Sequence, residues 1–203
     1  MTAFLGQLLD DLRATSLLEG ATVLLGLVYV VLAVARSRWC WVYGGLSSAG
    51  LAWLSARAAV PMQAALQVFY VLMAVYGFAR WSADRDAGGH VRVGWWPARL
   101  HIAAWIAIAA ATLLTAQVLA HHTQAARPLL DAGCTWGSLL ATWLAARARI
   151  ENWLYWIVID AALGVLYASQ ALALVALLYF VYLGVATVGF AAWSKRLPGT
   201  VAP

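Results

Sequence analysis

The sequence predicts an all-α integral membrane protein in which seven transmembrane helices form two parallel three-helix repeats joined by a linker helix. Three observations predict it: an apolar composition, seven long apolar segments and a repeat between the two halves. Of the 203 residues, 65% are hydrophobic and 10% are charged, and the mean hydropathy is +0.81. A soluble domain carries about 25% charged residues. This chain therefore has too little polar surface to fold in water.

The apolar segments set the helices. Runs near 20 residues suffice to cross a hydrocarbon core of about 30 Å as helices, and their continuous Ala/Leu-rich character argues against a β-barrel. The predicted spans are 16–35, 39–59, 63–81, 101–120, 129–146, 150–168 and 171–193. The chain then divides into an extracytoplasmic segment (1–15), a first repeat (16–81), a cytoplasmic loop with the linker helix (82–128), a second repeat (129–193) and a cytoplasmic tail (194–203).

The basic residues predict the orientation. The net charge of +5 is spread over short loops, so it indicates topology rather than nucleic-acid binding. Ten basic residues follow the first, third, fifth and seventh spans, and three lie on the other side. Because positive loops stay in the cytoplasm, the N-terminus is expected outside the cytoplasm and the C-terminus inside it.

An internal repeat defines the two halves. Gly77-Phe-Ala-Arg-Trp-Ser82 recurs as Gly189-Phe-Ala-Ala-Trp-Ser194, an offset of 112 positions, and Trp41-Val-Tyr43 recurs as Trp153-Leu-Tyr155 at the same offset. Three-helix copies separated by one linking helix keep the same orientation in the membrane. This is the SWEET-like arrangement, with parallel repeats about an axis along the membrane normal.

One face of the sixth span predicts a binding site. Asn152, Trp156 and Asp160 are four residues apart and share a helix face, with Trp153 beside them. Asp160 lies ten positions into the span, about 15 Å deep at 1.5 Å per residue. A carboxyl group at that depth indicates a functional site, and the alternative is structural pairing with a neighbouring helix.

A second face runs along the third and seventh spans. Gln67 and Tyr70 correspond at the offset to Tyr179 and Tyr182. Polar and aromatic side chains in these positions suit a cavity wall, and ordinary helix–helix contact is the alternative. The small residues further along the same faces, including Gly77, suit close helix approach.

Nothing in the sequence indicates an enzyme, a metal or a cofactor. There is no phosphate-binding glycine loop, and Cys40 and Cys134 match no metal or redox spacing. Glu151 and Asp160 would be about 13 Å apart on one helix, too far to act as an acid–base pair. Glu151 is interpreted instead as a topology or ion-pair residue near Arg147 and Arg149.

Several motifs resemble the PnuC family of vitamin transporters. Glu151-Asn-Trp-Leu-Tyr-Trp156 resembles its Glu-Asn-Trp-x-x-Trp signature, and Leu66-Gln-Val-Phe-Tyr70 with Tyr76-Gly-Phe-Ala-Arg-Trp81 resembles its third helix. Glu19 with Gly26, and Leu178-Tyr179, are similar to its first and last helices. Ala74 and Phe78 depart from the family's Asn-x-Tyr-Gly-Trp run, and these departures bear on the substrate.

The resemblance implies import of nicotinamide riboside across the bacterial inner membrane, with the N-terminus in the periplasm. Import would proceed by facilitated diffusion and alternating access, driven by a cytoplasmic kinase that phosphorylates the product. Thiamine is the alternative cargo, with riboflavin after it, and a trimer is a further implication. A flat cationic ring would gain from cation–π contact. The predicted substrate-binding residues are Gln67, Tyr70, Asn152, Trp153, Trp156, Asp160, Tyr179 and Tyr182. A scaffold protein without a ligand is a third alternative, and it predicts no loss of uptake in Asp160→Ala.

Overall fold

Seven helices make up the described part of the chain. The computed structural model describes residues 16–58, 61–122, 127–170 and 172–196. The seven helices, in chain order, are α1 (Leu17–Val34), α2 (Cys40–Arg57), α3 (Pro61–Ala83), α4 (Ala98–His122), α5 (Pro128–Ala146), α6 (Asn152–Ser169) and α7 (Ala173–Ser194). Each predicted span coincides with one of these helices, whereas the proposed segment 1–15 and the end of the tail lie outside the described residues.

Five of these helices are long and apolar enough to cross a membrane by length and composition: α1, α3, α4, α6 and α7. The helices α2 and α5 are more polar because serine, threonine and glycine interrupt their apolar residues. They contribute Ser47, Ser138 and Thr142 to the buried interior. Their polarity therefore faces other helices rather than lipid.

The helices pack in two neighbouring groups. In the first, α2 lies against α1 and α3; in the second, α6 lies against α5 and α7. The groups meet where α3 contacts α5 and where α1 contacts α7. Among the described helices α4 packs mainly against α5 and also touches α6 where Trp105 stacks on Tyr155, so it lies to one side of the other six. This is the place that the repeat hypothesis assigns to a linker.

Two hydrogen bonds cross between the groups in a reciprocal way. Trp81 Nε1 donates to the Ala145 carbonyl oxygen at 3.2 Å, and Trp193 Nε1 donates to the Ala33 carbonyl oxygen at 3.2 Å. Both the donors and the acceptors are related by the offset of 112 positions. An approximate two-fold relation between two copies produces this kind of exchange. The pair therefore supports the proposed division into repeats.

The repeated glycines have equivalent neighbours. Gly77 on α3 lies against the ring of Trp41, and Gly189 on α7 lies against the ring of Trp153. A Cβ atom at either glycine would collide with the indole, so only glycine permits the close approach. The expectation of close helix contact at these positions is confirmed.

The segment that follows α3 links the two groups at one end of the bundle. Arg36 and Ala148, again separated by the repeat offset, have positive φ angles of 58° and 53° in the turns after α1 and α5. Their carbonyl oxygens accept hydrogen bonds from Val91 N at 3.3 Å and Gly94 N at 3.1 Å. One short stretch of backbone thus fastens both turns.

Asp86 organises the start of this segment. Its Oδ1 accepts hydrogen bonds from Gly88 N at 2.9 Å and His90 N at 3.0 Å, and Arg36 lies 3.4 Å from Oδ2. The His90 backbone hydrogen bond is the largest cause that lowers the pKa of Asp86. Because the folded pKa is lowered, this stabilisation is present at neutral pH and is lost as the pH falls through the folded pKa.

Candidate functional site

A cavity of about 430 Å³ lies between the two groups of helices. Side chains of α1, α2, α3, α5, α6 and α7 line it, and α4 supplies none of the described lining residues. Its volume suits a small organic molecule. The eight substrate-binding residues predicted from the sequence all line this one cavity: Gln67, Tyr70, Asn152, Trp153, Trp156, Asp160, Tyr179 and Tyr182.

The cavity is closed at one end and open at the other. At the closed end Trp81 and Trp193 are each 1% exposed, and their ring centroids lie 5.8 Å apart. These are the indoles whose hydrogen bonds cross between the groups. At the open end lies Asp131, which is exposed and belongs to the first turn of α5.

Asp160 is the buried carboxyl of the site. It lies in the middle of α6, is 3% exposed and lines the cavity. Among the described residues, none of the hydrogen bonds or ion pairs involves this carboxyl. The alternative of structural pairing to a neighbouring helix is therefore unsupported. Its oxygens do not belong to the fully buried atoms that lack a partner, so the carboxyl is open to the cavity, where a ligand can pair with it.

The charge of the lining is one-sided. Among the described lining residues the only carboxyl groups are those of Asp131 and Asp160, and none of these residues is an arginine, lysine or histidine. The walls between these acids are apolar or carry neutral polar groups. A positively charged ligand would meet complementary charge here, whereas an anion would meet none.

Aromatic side chains form much of the wall. The rings of Tyr167 and Tyr179 are stacked, with centroids 5.4 Å apart and planes at 12°, and Tyr182 meets Tyr179 edge-on at 6.4 Å. The indole N–H groups of Trp41 and Trp153 are buried and have no hydrogen-bond partner among the described residues. The site thus offers stacking faces to a flat ligand.

Asn152 and Gln67 supply the neutral polar groups. Asn152 is 1% exposed, and its Nδ2 donates to the Arg149 carbonyl oxygen at 2.6 Å, which holds the amide at the start of α6. Gln67 is 6% exposed on α3. Both amides line the cavity. The structure brings them together from opposite halves, as the sequence hypothesis requires of a shared site.

The sequence analysis missed the contributions of α1 and α5. Gly26 and Tyr29 come from α1, and Asp131, Cys134 and Ser138 come from α5. Gly26 and Ser138 are related by the repeat offset, so that comparison could have suggested α1 and α5 as a matched pair. No such signal distinguishes Asp131, because an acid in the first turn of a helix is ordinary.

Glu151 differs from its predicted surroundings. Its Oε1 lies 3.1 Å from His101 Nε2, and the described ion pairs place neither Arg147 nor Arg149 against it. His101 Nδ1 lies 2.9 Å from the Tyr155 hydroxyl oxygen. Glu151 is not among the described cavity-lining residues. It therefore connects the linker helix to the start of α6.

The two departures from the family motif also lie away from the cavity lining. Ala74 is buried beside Gly45, and Phe78 packs edge-on against Trp39 with centroids 5.8 Å apart. Neither is among the described lining residues.

Comparisons with known proteins agree with this architecture. A model of the nicotinamide mononucleotide transporter family matches residues 16–195. The riboflavin/roseoflavin transporter RibM of Streptomyces davaonensis is 28% identical over 180 residues, which cover 85% of this chain and 82% of that protein. The crystal structure of the vitamin B3 transporter PnuC superposes with a TM-score of 0.70 at 22% identity, over 96% of this chain and 88% of that one. The latter likeness shows the fold.

Proposed function

This chain belongs to the nicotinamide mononucleotide transporter (PnuC) family of membrane transporters, and we propose that its cargo is nicotinamide riboside. The observation that carries this proposal is the lining of the cavity, which combines aromatic walls with two acids and no described basic side chain. The nicotinamide ring of the riboside is flat and positively charged. Cation–π contact and a nearby carboxylate both favour such a ring.

The same lining argues against a phosphorylated cargo. A phosphate monoester carries about −1.5 to −2 charge near neutral pH. In this cavity it would lie among Asp131 and Asp160 without an arginine or lysine to pair with. We therefore propose the riboside as the cargo rather than the nucleotide after which the family is named.

The proposed pose places the cationic ring beside Asp160 and against the indoles of Trp153 and Trp156. The ribose hydroxyls would then meet the amides of Asn152 and Gln67. These polar groups are buried and face the cavity, so binding would supply partners that the protein alone does not. Tyr70, Tyr179 and Tyr182 complete the wall.

Two other cargoes remain as alternatives. Thiamine is also an aromatic cation and would use the same groups. Riboflavin is favoured by one specific observation, the 28% identity to a riboflavin/roseoflavin transporter. Riboflavin is neutral, so it would gain nothing from the negative charges of Asp131 and Asp160. Charge selectivity therefore separates it from the two cations.

We propose alternating access as the mechanism, with the two halves moving about the cavity. In the structure the Trp81 and Trp193 end is closed and the Asp131 end is open. The basic residues predict that the N-terminus lies on the periplasmic side of the inner membrane. In that orientation the open end faces the periplasm. Uptake would proceed by facilitated diffusion, and a cytoplasmic kinase would trap the product.

Ligand titration tests the cargo. We expect nicotinamide riboside to quench the tryptophan fluorescence of the purified protein in a saturable way, with nicotinamide mononucleotide giving no saturable change. The matched comparison is uptake of nicotinamide riboside, thiamine and riboflavin into proteoliposomes. Saturable binding and uptake of riboflavin alone would replace the proposed cargo and leave the transporter class intact.

A second prediction concerns the closed end. Trp193→Phe keeps an aromatic ring but removes the donor to the Ala33 carbonyl oxygen. Losing a hydrogen bond worth about 1 kcal/mol should raise the population of opened molecules by about fivefold. Cys40 packs in the same buried cluster and is 0% exposed. We therefore expect about fivefold faster maleimide labelling of Cys40, measured in a Cys134→Ala background.

The control for this measurement is Trp53→Phe, because Trp53 is 60% exposed and lies outside that cluster. It should leave the labelling rate of Cys40 unchanged. By the repeat, Trp81→Phe should act like Trp193→Phe. Equal labelling of Cys40 in all these variants would show that the crossing hydrogen bonds do not hold the end closed.

A further inference from the structure

The open end of the cavity carries a group of side chains of which the proposed binding pose uses only Tyr179, as part of the wall. Asp131 lies in the first turn of α5, and Thr135 Oγ1 donates to its carbonyl oxygen at 2.8 Å. Tyr167 comes from the last part of α6, and Tyr179 from the first part of α7. All four residues line the cavity. We call Asp131, Tyr167 and Tyr179 the entrance group.

The entrance group lies outward of Asp160. Tyr167 follows Asp160 by seven residues on α6, which corresponds to about 10 Å along the helix at 1.5 Å per residue. The helices α5 and α6 are neighbours joined by a short turn, so they run in opposite directions and the start of α5 is level with the end of α6. The cavity therefore presents two acids in succession.

The two acids differ in their surroundings. Asp131 is exposed, whereas Asp160 is 3% exposed and without a partner among the described residues. No described ion pair involves Asp131. Its carboxylate stays hydrated, so a cation can approach it without losing all of its own water. Asp160 is the more deeply buried of the two acids. Its carboxyl has no partner among the described residues, which indicates the final position of the ligand.

The stacked tyrosines give the entrance group a preference for organic cations. The planes of Tyr167 and Tyr179 are nearly parallel, at 12°, with centroids 5.4 Å apart. The face of an aromatic ring attracts an organic cation, and a flat heterocycle can lie against that face. A carboxylate beside such rings favours an aromatic cation over a metal ion, which would need several oxygen ligands.

We propose that the entrance group is a first subsite, at which an aromatic cation is captured before it moves inward to Asp160. This inference rests on the proposed function in one respect, namely that the cargo is a cation. The entrance group then acts on the rate of arrival, because a negative charge at the mouth of a cleft concentrates cations there. The Asp160 position sets the affinity of the occupied state.

The experiment is uptake of nicotinamide riboside into proteoliposomes by Asp131→Asn, measured at low and high ionic strength. At a Debye length of about 30 Å, near 0.01 M salt, we expect initial uptake at subsaturating substrate to fall by about tenfold. Near 1 M salt, where the Debye length is about 3 Å, the variant should match the unaltered protein. Uptake at saturating substrate should change by less than about twofold, because the group acts on capture.

The matched control is Glu19→Gln. Glu19 is exposed near the start of α1, is not among the described lining residues, and accepts a hydrogen bond from Ser16 N at 2.7 Å that glutamine can also accept. This variant removes one negative charge on the same predicted side of the membrane. It should leave uptake unchanged at both salt concentrations, which separates the entrance group from a general surface charge.

Each remaining outcome counts against the proposal. If the unaltered protein takes up the cation but Asp131→Asn behaves like it at low salt, the capture subsite is wrong. An equal loss at both salt concentrations, or loss of saturable binding, would place Asp131 in the main site instead. If the unaltered protein takes up only neutral riboflavin, the proposed function fails, and the cation subsite fails with it.

Discussion

Asp160→Asn is expected to weaken nicotinamide riboside binding by about ten- to a hundredfold, the range given by about 1.5–3 kcal/mol for a charged hydrogen-bond partner. The side chain is 3% exposed and lines the cavity, so its carboxylate would meet the cation with little screening by water. Asparagine has nearly the same shape, and the fold should therefore persist. Fluorescence titration of the purified variant measures the loss.

Two comparisons sharpen this result. Asp84→Asn removes an acid whose side chain is 50% exposed and lies 3.9 Å from Arg92, away from the cavity, and it should bind the riboside normally. Riboflavin, which carries no positive charge, should respond to Asp160→Asn far less than the riboside does. Equal weakening of both ligands would contradict a charge-based role. If cells carrying Asp160→Asn took up the riboside as well as cells carrying the unaltered protein, a scaffold protein would be favoured instead.

The site residues that sequence reasoning found share one property: their positions are fixed by spacing. Asn152, Trp156 and Asp160 follow the period of one helix, so any packing that brings one of them to the cavity brings the others. Tyr179 and Tyr182 follow from Gln67 and Tyr70 by the repeat. Their convergence on one cavity is consistent with the prediction, although their role in binding is a proposal.

Tyr29 and Asp131 could not be found in this way. Tyr29 stands in a continuous apolar run of α1, so its spacing does not distinguish a lipid face from a cavity face. The rotation of α1 is set by its packing against α2 and α7. Asp131 is a first-turn acid whose place at the cavity mouth depends on how α5 meets α6. Both assignments need tertiary contacts.

The fold shows the same division. The seven helices follow from apolar runs and their polar breaks. The positive φ angles of Arg36 and Ala148, in the turns held by the segment after α3, could not be predicted. Neither residue is a glycine, and no other sequence signal indicates a positive φ. The repeat predicted that Trp81 and Trp193 would be equivalent. It did not show that each would donate to the opposite half.

Gly189→Ala is expected to lower the stability of the protein by about 1–3 kcal/mol and to weaken ligand binding as well. A Cβ at this position would lie 2.7 Å from ring atoms of Trp153, closer than real contacts allow. The ring is 4% exposed and packs edge-on against Trp193 with centroids 5.3 Å apart, so it has little room to retreat. Relief requires α7 to separate from α6 or the indole to move into the cavity. Thermal unfolding and riboside titration of the same variant measure the two effects.

Gly184→Ala provides the control on the same helix. A Cβ there meets nothing within 4 Å, so the riboside affinity should stay as it is in the unaltered protein, and the Tm should not fall because alanine favours a helix over glycine. Gly77→Ala should reproduce the loss of stability, because Gly77 lies against Trp41 as Gly189 lies against Trp153. Its effect on binding should be smaller, since the proposed pose rests on Trp153 rather than on Trp41. If Gly189→Ala and Gly184→Ala behave alike, the close contact with Trp153 does not position the cavity wall.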